Sequence, residues 1–381
     1  MSNANATQRV HPVREFAGAC GDLGTFLPLT IGAIMVGGLP AGSVLAGFGV
    51  AYLITAGFYR VPIPVQPMKV AGAVLVTTAP ALDSVIGGGL VLAAVFLLLG
   101  AGDLITRLAR IVPPAVIGAL QAGLGISLAW KAIGMLTSTP IAGFALAAFA
   151  GALLLWRPHW PIALIVLGAS VAILPWIDAA APEAVPAAAT AAMQFRLPGI
   201  DALIAGTVLI ALPQFPLTLT NAIMVTERVG REFYPDAHRV RMRRLSVSTG
   251  LMNLVTAPFG ALPMCHGAGG VAAHFRFGAR TGYAPVGLGI ALLGLGLFAA
   301  TDTTRLLAQI PDAALGTLLL IPAIDLVRIV RPSRYAPPDR VFIVLLAAVA
   351  IASPALAFVI GMIGIPLWYR LRGNSSTAGD D

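Results

Sequence analysis

Long apolar runs, separated by short polar stretches, recur along the chain from about Phe16 to Tyr369. Most approach the length of about 20 residues that an α-helix needs to cross a bilayer. The first half contains segments at 16–36, 40–58, 61–80, 85–105, 112–131, 140–156 and 160–177. The second half contains segments at 200–224, 246–259, 262–280, 284–300, 307–328, 340–353 and 354–369. The pattern predicts an all-α polytopic membrane protein with about fourteen transmembrane segments.

Composition supports a membrane protein and argues against a soluble one. Charged residues make up 10% of the chain and hydrophobic residues 58%. A soluble globular protein has no way to bury that much apolar surface. The net charge of +8 would suggest nucleic acid as a partner of a soluble protein. In a membrane protein it reflects the enrichment of Lys and Arg in cytoplasmic loops, so we expect the lipid bilayer as partner and no nucleic acid.

The distribution of cations predicts the orientation. With the N-terminus inside and fourteen passes, 20 of the 24 Lys and Arg residues fall on the cytoplasmic side. Lys131, Arg196 and Arg305 fall outside, and Lys69 lies within a segment. Because cytoplasmic loops collect positive charge, both termini are predicted to be cytoplasmic and the protein to reside in the inner (plasma) membrane as a multi-pass protein.

Seven segments per half imply that the second half enters the membrane from the opposite side, as in transporters built from inverted repeats. The predicted organisation is an N-terminal tail (1–15), a first repeat (16–177), an outer linker (178–198), a second repeat (199–369) and a cytoplasmic tail (370–381). The internal similarity is weak. At an offset of 199, most positions differ, but the identical pairs include Pro64 and Pro263, Ala73 and Ala272, Gly88 and Gly287, and Asp103 and Asp302.

The third segment is interrupted by proline. In Val61–Ala73, Pro62 and Pro64 favour extended backbone, and Pro67 is acceptable in the first turn of a helix. The sequence thus predicts a short strand followed by a half-helix whose free amides and dipole suit an anion. Lys69 lies in the first turn. A lysine at membrane depth indicates either a role beside the substrate or a structural ion pair with an acid such as Asp22.

The counterpart in the second half is Phe259–Gly282, in which Leu262–Met264 are predicted to be extended and a helix to start near His266–Gly270. Gly267 and its neighbouring glycines allow backbone to approach an oxyanion. The competing explanation is that these glycines serve close helix packing. His266 is expected to line the site or to cap the helix.

Polar uncharged side chains lie in the first segment of each half, where hydroxyls and amides can donate to an oxyanion or bond neighbouring helices. They are Thr25, Gln214, Thr218, Thr220 and Asn221. Two acids, Asp22 and Glu227, are candidates for taking up a coupled proton, with a salt bridge or a helix-end role as the alternative.

Other chemistry is poorly represented. Cys20 and Cys265 fall in predicted segments and do not form a disulfide framework. Cys265, His266 and His274 lack a fourth metal ligand, and no nucleotide-binding loop follows the glycines. We therefore predict no metal and no cofactor. No nucleophile and base occur at a useful spacing, so an enzyme is not predicted.

Three motifs together resemble the molybdate transporter family, a relative of the sulfate permeases. They are PIPVQPMK (62–69), PMCHGAGG (263–270) and FRFGARTG (275–282), within a similarity that runs from GDLGTFLPLT (21–30) through the last segments. The resemblance implies a core domain and a gate domain made of two inverted seven-helix repeats. It also implies a substrate between the helix starts of segments three and ten, and movement of the core against the gate.

The same resemblance assigns the positions nearest the oxyanion: Gln66, Met68 and Lys69 in the first motif, and Cys265, His266 and Gly267 in the second. With the polar residues above, the predicted substrate-binding set is Thr25, Gln66, Met68, Lys69, Thr218, Asn221, Cys265, His266 and Gly267. The short tail after Tyr369 indicates that the regulatory domain of sulfate permeases is absent, and a homodimer through gate helices is expected. The predicted function is secondary active uptake of molybdate. The alternatives are sulfate or another oxyanion and, less favoured, a nucleobase or dicarboxylate.

Overall fold

The computed structural model describes residues 12–102, 104–108, 112–156, 160, 162–177, 187–235, 237–331 and 335–376. The predictions for the N-terminal tail before residue 12, for residues 178–186 of the outer linker and for residues 377–381 concern parts outside this described set.

The first half is helical apart from one short strand. Its elements are α1 (Pro12–Cys20), α2 (Leu23–Met35), α3 (Ala41–Tyr59), β1 (Gln66–Pro67), α4 (Lys69–Thr78), α5 (Leu82–Ala101), α6 (Leu104–Leu108), α7 (Pro114–Leu136), α8 (Pro140–Trp156) and α9 (Ile162–Ile177).

The second half begins with a 34-residue helix, Ile200–Phe233. It comprises α10 (Ile200–Gly206), α11 (Leu212–Leu217) and α12 (Thr226–Phe233), joined by the π-helical stretches Thr207–Ala211 and Thr218–Val225. The remaining elements are α13 (Met242–Thr256), β2 (Met264–Cys265), α14 (Ala268–Arg276), α15 (Tyr283–Phe298), α16 (Ala300–Leu307), α17 (Asp312–Ile329), α18 (Pro337–Ala352) and α19 (Pro354–Ser376).

Several boundaries differ from the sequence prediction. The first predicted segment, 16–36, is broken between Cys20 and Leu23, and the predicted segment 200–224 continues as helix to Phe233. The two π-helical stretches lie around Pro213 and Pro216, since a proline lacks the amide proton that a regular helical turn uses. Hydropathy therefore located the apolar segments but not the breaks inside them.

Among the described residues, four helices are by themselves long and apolar enough to cross a membrane: Ala41–Tyr59, Leu82–Ala101, Pro114–Leu136 and Ile200–Phe233. A fifth candidate is the pair α15 and α16, which is bent by 94°. Shorter apolar helices include α2, α4 and α8. The architecture is thus mostly helical with several apolar helices, while the number of fourteen segments stays a prediction.

Glycines allow the main helix pairs to approach closely. A Cβ built on Gly49 of α3 would lie 2.5 Å from the backbone nitrogen of Leu293 in α15, and one on Gly296 would lie 2.8 Å from the Gly42 carbonyl oxygen. In a protein of this composition, backbone approach of this kind provides packing without large side chains. The glycine content therefore reflects helix packing more than loops.

Two further apolar clusters lie beside the main core. One joins α8, α9 and α17 to Ile31 of α2, and the other joins α7, α18 and α19. The main cluster is formed largely by α2, α3, α4 and α5 together with the long helix Ile200–Phe233 and α15. Helices α7 and α17, which contact each other, also contribute residues to the main cluster, so they border the site described next.

Candidate functional site

Two short helices begin beside a two-stranded antiparallel ladder at the centre of the main core. Gln66 of β1 pairs with Cys265 of β2, and Pro67 pairs with Met264. Helix α4 begins at Lys69 and α14 at Ala268, each three residues after its paired strand residue. The partners Gln66 and Cys265 are separated by 199 positions, as are the two helix starts, and 199 is the offset of the weak internal similarity. The predicted order of strand and short helix is therefore confirmed in both halves, and both helix starts lie near one ladder.

Sequence and tertiary contacts both explain the ladder. Pro62, Pro64 and Pro67 disfavour helix before Lys69. On the other edge of β2, the side chain of Asn253 replaces a third strand: its Nδ2 donates to the Met264 carbonyl at 2.6 Å, and its Oδ1 accepts from the Met264 amide at 3.0 Å. A two-residue strand is thus hydrogen-bonded on both edges inside a helical core.

The amino end of α4 is capped from the other half of the chain. The Oε1 of Gln214 accepts hydrogen bonds from the backbone amides of Val70 at 2.9 Å and Ala71 at 3.2 Å. The amide of Gln214 is oriented by Thr218, whose hydroxyl accepts from Nε2 at 2.8 Å. The expectation of a free amide row on this helix is therefore corrected: two of its first amides already have an acceptor.

The amino end of α14 is different. Among the residues that the structure describes, no acceptor bonds the backbone amides of Ala268, Gly269 or Gly270, and the first bond from this turn joins the Val271 amide to the Gly267 carbonyl. Gly269 is exposed, and a Cβ built there would meet no atom within 4 Å. Three amides at a helix start favour an anion by hydrogen bonding and by the helix dipole.

Gln66, Asp22 and Thr25 form a polar network against this helix start. The Nε2 of Gln66 lies 2.6 and 2.7 Å from the two carboxylate oxygens of Asp22, and the Thr25 hydroxyl donates to Asp22 Oδ1 at 2.5 Å. A Cβ on Gly270 would lie 2.5 Å from Asp22 Oδ2, and one on Gly267 would collide with the Gln66 amide. Gly267 and Gly270 are therefore required by packing, whereas Gly269 is not.

Lys69 is partly exposed and occupies the first turn of α4, as predicted. It takes part in none of the ion pairs within 4 Å that the described residues form. Its charge nevertheless acts on Asp22 and on Asp325 of α17. The direct salt bridge between Lys69 and Asp22, the structural alternative from the sequence, is not formed, because Asp22 bonds Gln66 and Thr25 instead.

The sequence leads us to expect His266 to line the site or to cap the helix, and in the structure it forms a hydrogen-bonded link inside the core. Its side chain is fully buried; Nδ1 lies 3.0 Å from the Pro64 carbonyl and Nε2 lies 2.7 Å from the Ser248 hydroxyl. Because a carbonyl can only accept, Nδ1 carries the proton and Nε2 accepts from Ser248. Tyr59 extends the chain, with its hydroxyl 2.7 Å from that of Ser248. Nδ1 thus joins the two halves directly through Pro64, and Nε2 joins them through Ser248 and Tyr59.

Three other residues of the predicted binding set are buried beside the two helix starts. The Met68 side chain is fully buried, and the residue serves as the N-cap of α4. Thr218 is buried against Gln214, as described above. Cys265 is buried in β2 within the electrostatic reach of Lys69. Their burial argues against direct substrate contact by the Met68 and Thr218 side chains.

The remaining predicted residues lie further along the long helix. Asn221 is half-buried in a π-helical stretch, and its backbone carbonyl accepts from the Thr226 hydroxyl at 3.0 Å. Glu227 forms an ion pair with Arg231, at 3.6 Å, one turn further on the same helix. In the described part of the chain, neither residue takes part in the hydrogen bonds of the Asp22 network.

Sequence reasoning missed the roles of three residues. Gln214 was noted only as a donor, whereas it acts as a helix cap; Asn253 and Asp325 were not singled out. Asp325 could have been found because it is an acid inside an apolar helix, a rare event at membrane depth. Within the described ranges, no group of three or more His, Cys, Asp or Glu side chains is arranged to hold a metal ion.

Solved structures with the same fold are anion transporters. The transmembrane domain of a cyanobacterium bicarbonate transporter, BicA, aligns with a TM-score of 0.68 at 17% identity, covering 92% of this chain and 98% of that one. Murine Slc26a9, an anion transporter in the inward-facing state, aligns with a TM-score of 0.68 at 12% identity, covering 96% and 69%. At these identities the likeness shows the fold alone, a mostly helical fold with several apolar helices that is shared with these two structures.

The sequence comparisons identify the family. A family model described as "Molybdate transporter of MFS superfamily" matches residues 14–128 and 206–326, more than half of the chain. Molybdate transporter 2 of Arabidopsis thaliana is 29% identical over 408 residues, covering 94% of this chain and 87% of that protein. Molybdate transporter 1 of Chlamydomonas reinhardtii is 27% identical, covering 92% and 90%. The chain belongs to the molybdate transporter family, which consists of transporters and not enzymes.

Proposed function

We propose that this protein is a secondary active transporter that takes up molybdate across the cytoplasmic membrane. Family membership supports this substrate, because relatives that cover more than nine-tenths of the chain are molybdate transporters. The fold supports the mechanism class, since it is shared with transporters of other anions. The relatives and structures described above are named as transporters of molybdate, bicarbonate or anions, which favours an inorganic anion over a nucleobase or a dicarboxylate.

The proposed binding site lies between the starts of α4 and α14. The observation that carries it is the set of unpartnered amides at Ala268, Gly269 and Gly270, beside an open position at Gly269. Amide donors of this kind suit the oxygens of a tetrahedral dianion. Lys69 supplies positive potential from the opposite helix start, and Thr25 and Gln66 supply further polar groups. Cys265 and Gly267 border the same ladder, and Asn221 is retained as a more distant member of the predicted set.

The proposed architecture comprises about fourteen segments in two inverted repeats, with a core that moves against a gate. The antiparallel pairing of Gln66 with Cys265, at the offset of the internal similarity, supports the inverted relationship. Helices α7, α8, α9, α17, α18 and α19 are the proposed gate, because they supply the two apolar clusters outside the main core. The homodimer and the cytoplasmic position of both termini belong to the same proposal.

Uptake of a dianion requires an energy source. Entry against about 100 mV, inside negative, opposes a doubly charged anion by roughly 4–5 kcal/mol. Co-transported protons would offset this energy. Asp22 is the favoured proton acceptor because it borders the start of α14, whereas Glu227 already has Arg231 as a partner.

Calorimetric titration of detergent-purified protein with molybdate and with sulfate is the direct test. We expect molybdate to bind with a measurable dissociation constant and sulfate to bind more weakly or to compete. Uptake of radiolabelled sulfate that excess molybdate does not inhibit would favour the sulfate alternative. Competition by uracil or by a dicarboxylate would contradict an oxyanion site altogether.

A further inference from the structure

The described end of the outer linker, residues 187–198, is fixed against the second half of the chain. The Arg196 amide donates to the Pro258 carbonyl at 2.7 Å, and the ring of Phe195 packs edge-on against that of Phe259, with centroids 5.6 Å apart. Both partners belong to the short turn that follows α13. The linker therefore forms one wall of a region that the proposed function does not use.

A cavity of about 160 Å³ lies between this linker and the start of α3, and we name it the linker cavity. Arg196 lies at its edge: Nη1 of the guanidinium is 3.3 Å from Asp83 Oδ1, and both side chains are about half exposed. The edge of the cavity thus presents a positive and a negative group side by side. The lining residues come from the linker, from α3 and α5, and from the turn after α13; they include Pro40, Ser43, Leu82, Gln194, Arg196 and Phe259.

A second cavity, of about 260 Å³, adjoins the linker cavity, because Ser43 and Phe259 line both. We name it the apolar groove. It follows α3 from Ser43 to Val50, which is about 10 Å at 1.5 Å per residue. Its other walls are the linker, α13 and α15, and they include Met193, Val255, Leu293 and Leu297. Three of these four side chains are exposed, so in a bilayer the groove is open to lipid chains.

Two hydroxyls line the apolar groove, and they differ in their hydrogen bonding. The Thr256 hydroxyl donates to the Met252 carbonyl at 2.7 Å. Ser43 Oγ is buried and has no hydrogen-bond partner among the described residues. A Cβ built on Gly260 would lie 3.7 Å from Ser43 Oγ and 3.3 Å from Leu82 Cδ1, so this hydroxyl lies on the side of the linker cavity. Because a buried hydroxyl without a partner is costly, a ligand oxygen at the junction of the two cavities would complete its bonding.

The two cavities together match the parts of a zwitterionic phospholipid better than they match an inorganic oxyanion. A guanidinium is a good partner for a phosphate, and the carboxylate of Asp83 beside it suits an ammonium group. Burial of an acyl chain is favourable in proportion to the apolar area covered, and the groove supplies that area. A small dianion would gain nothing from the groove, and Asp83 already balances the charge of Arg196.

We propose that the linker cavity and the apolar groove bind one zwitterionic phospholipid of the membrane. Arg196 binds the phosphate, Asp83 binds the ammonium group, and the Ser43 hydroxyl donates to a phosphate or ester oxygen at the junction. One acyl chain follows α3 along the groove. None of the helices that line the groove belongs to the proposed gate, so the lipid joins the linker to the proposed core. This site is separate from the proposed substrate site, and its test does not depend on the proposed function.

Native mass spectrometry of the detergent-purified, delipidated protein, titrated with phosphatidylethanolamine, tests the site. We expect Arg196→Gln to weaken binding by about tenfold or more because the phosphate loses its cation, and Val255→Trp to do the same because the indole fills the groove. Lipids bound elsewhere contribute equally to parent and variants, so the difference in affinity is the measured quantity. Arg305→Gln, which also breaks an exposed pair of arginine and aspartate, and Leu254→Trp, an exposed neighbour on α13 that lines neither cavity, are the matched controls.

Two further variants test the polar contacts. Ser43→Ala should weaken phosphatidylethanolamine binding but leave the unfolding temperature of the lipid-free protein unchanged, because its hydroxyl has no partner to lose among the described residues. Asp83→Asn should shift the preference from phosphatidylethanolamine toward the anionic phosphatidylglycerol, since Arg196 then lacks its compensating charge. Asp302→Asn removes the partner of Arg305 and is the control, with the parent's preference expected.

Equal affinity for phosphatidylethanolamine in the parent, Arg196→Gln and Val255→Trp overturns the proposal. It is also overturned if Arg196→Gln weakens molybdate binding and leaves lipid binding unchanged, because the cavity would then serve the oxyanion. If Arg196→Gln does not fold, the comparison of Val255→Trp with Leu254→Trp decides, since both side chains are exposed and tolerate a larger residue. Molybdate affinity should stay at the parent's value in Val255→Trp, so failure of the lipid site and failure of the proposed function are distinguished.

Discussion

The side-chain carbonyl of Gln214 accepts a hydrogen bond from the backbone amide of Val70 at 2.9 Å, across 144 positions of sequence. This contact joins the long helix of the second half to the helix start of the first. It has two consequences for the site. It removes two amides of α4 from the groups available to an anion, and it leaves α14 as the helix start with more free donors.

Replacing Gln214 tests the cap. Gln214→Ala should lower the free energy of unfolding by about 1–3 kcal/mol, because the amides of Val70 and Ala71 and the Thr218 hydroxyl lose their buried partner. Thermal unfolding of the purified protein measures this loss. Gln309→Ala, at an exposed position, is the control and should leave the transition unchanged. Equal transitions for the two variants would contradict the capping role.

Lys69 tests the electrostatic contribution to binding. Lys69→Gln should weaken molybdate binding by about tenfold or more, because the positive potential beside the dianion is lost. Calorimetry at two salt concentrations measures both the affinity and its screening. The chain has only one other lysine, Lys131, which is exposed on α7, so Lys131→Gln is the matched control. Binding by folded Lys69→Gln as tight as in the parent would remove Lys69 from the site.

Variants of two glycines at the start of α14 distinguish a role in packing from a role in the approach of the ligand. Gly267→Ala should disturb the protein even without ligand, because its Cβ collides with the Gln66 amide. Gly269→Ala should leave the unfolding temperature the same or slightly higher, since its Cβ meets nothing and alanine favours helix. We expect Gly269→Ala to weaken molybdate binding nonetheless. A Gly269→Ala variant with unchanged affinity would mean that the ligand does not approach this turn.

The sequence predicts the broken segments well because proline acts locally. Pro62, Pro64 and Pro67 restrict their own backbone, so an extended stretch before Lys69 follows without knowledge of the rest of the chain. The glycines around Gly267 are visible for the same reason. The pairing of the two strands was harder to predict, since most positions differ at the offset of 199 that separates Gln66 from Cys265, and Pro64 and Pro263 are among the few identical pairs.

The roles of individual polar residues could not be predicted, because they depend on partners far along the chain. His266 and Gln214 both look like ligand donors in sequence. In the structure, both ring nitrogens of His266 form hydrogen bonds, to Ser248 and to the Pro64 carbonyl. The side-chain oxygen of Gln214 accepts hydrogen bonds from amides at the start of α4. Burial decides between the two roles, and hydropathy does not distinguish the side of a helix that faces water from the side that faces another helix.

His266 tests this structural interpretation. His266→Ala should lower the free energy of unfolding by about 2–4 kcal/mol, because it leaves a cavity and removes the partners of Ser248 and Pro64. His238, an exposed histidine in the loop before α13, provides the control His238→Ala. Thermal unfolding and molybdate affinity are measured together. Lost affinity with unchanged stability would instead support direct contact between His266 and the substrate.

Asp22 tests proton coupling. If its carboxylate takes up the proton that accompanies molybdate, uptake by the parent should rise as the outside is acidified, and Asp22→Asn should make uptake independent of that gradient. The introduced side-chain amide retains one oxygen that can accept from Gln66, so the network is changed as little as the chemistry allows.

Glu227→Gln provides the comparison, because Glu227 is an acid paired with Arg231 on the long helix and takes no part in the hydrogen bonds of the Asp22 network. Initial rates of radiolabelled molybdate uptake into proteoliposomes, with the inside held neutral and the outside varied, measure the effect. We expect the Glu227 variant to keep the parent's dependence on the proton gradient. If Asp22→Asn also keeps it, the proton enters at another group, and Asp22 serves only to hold Gln66 against the start of α14.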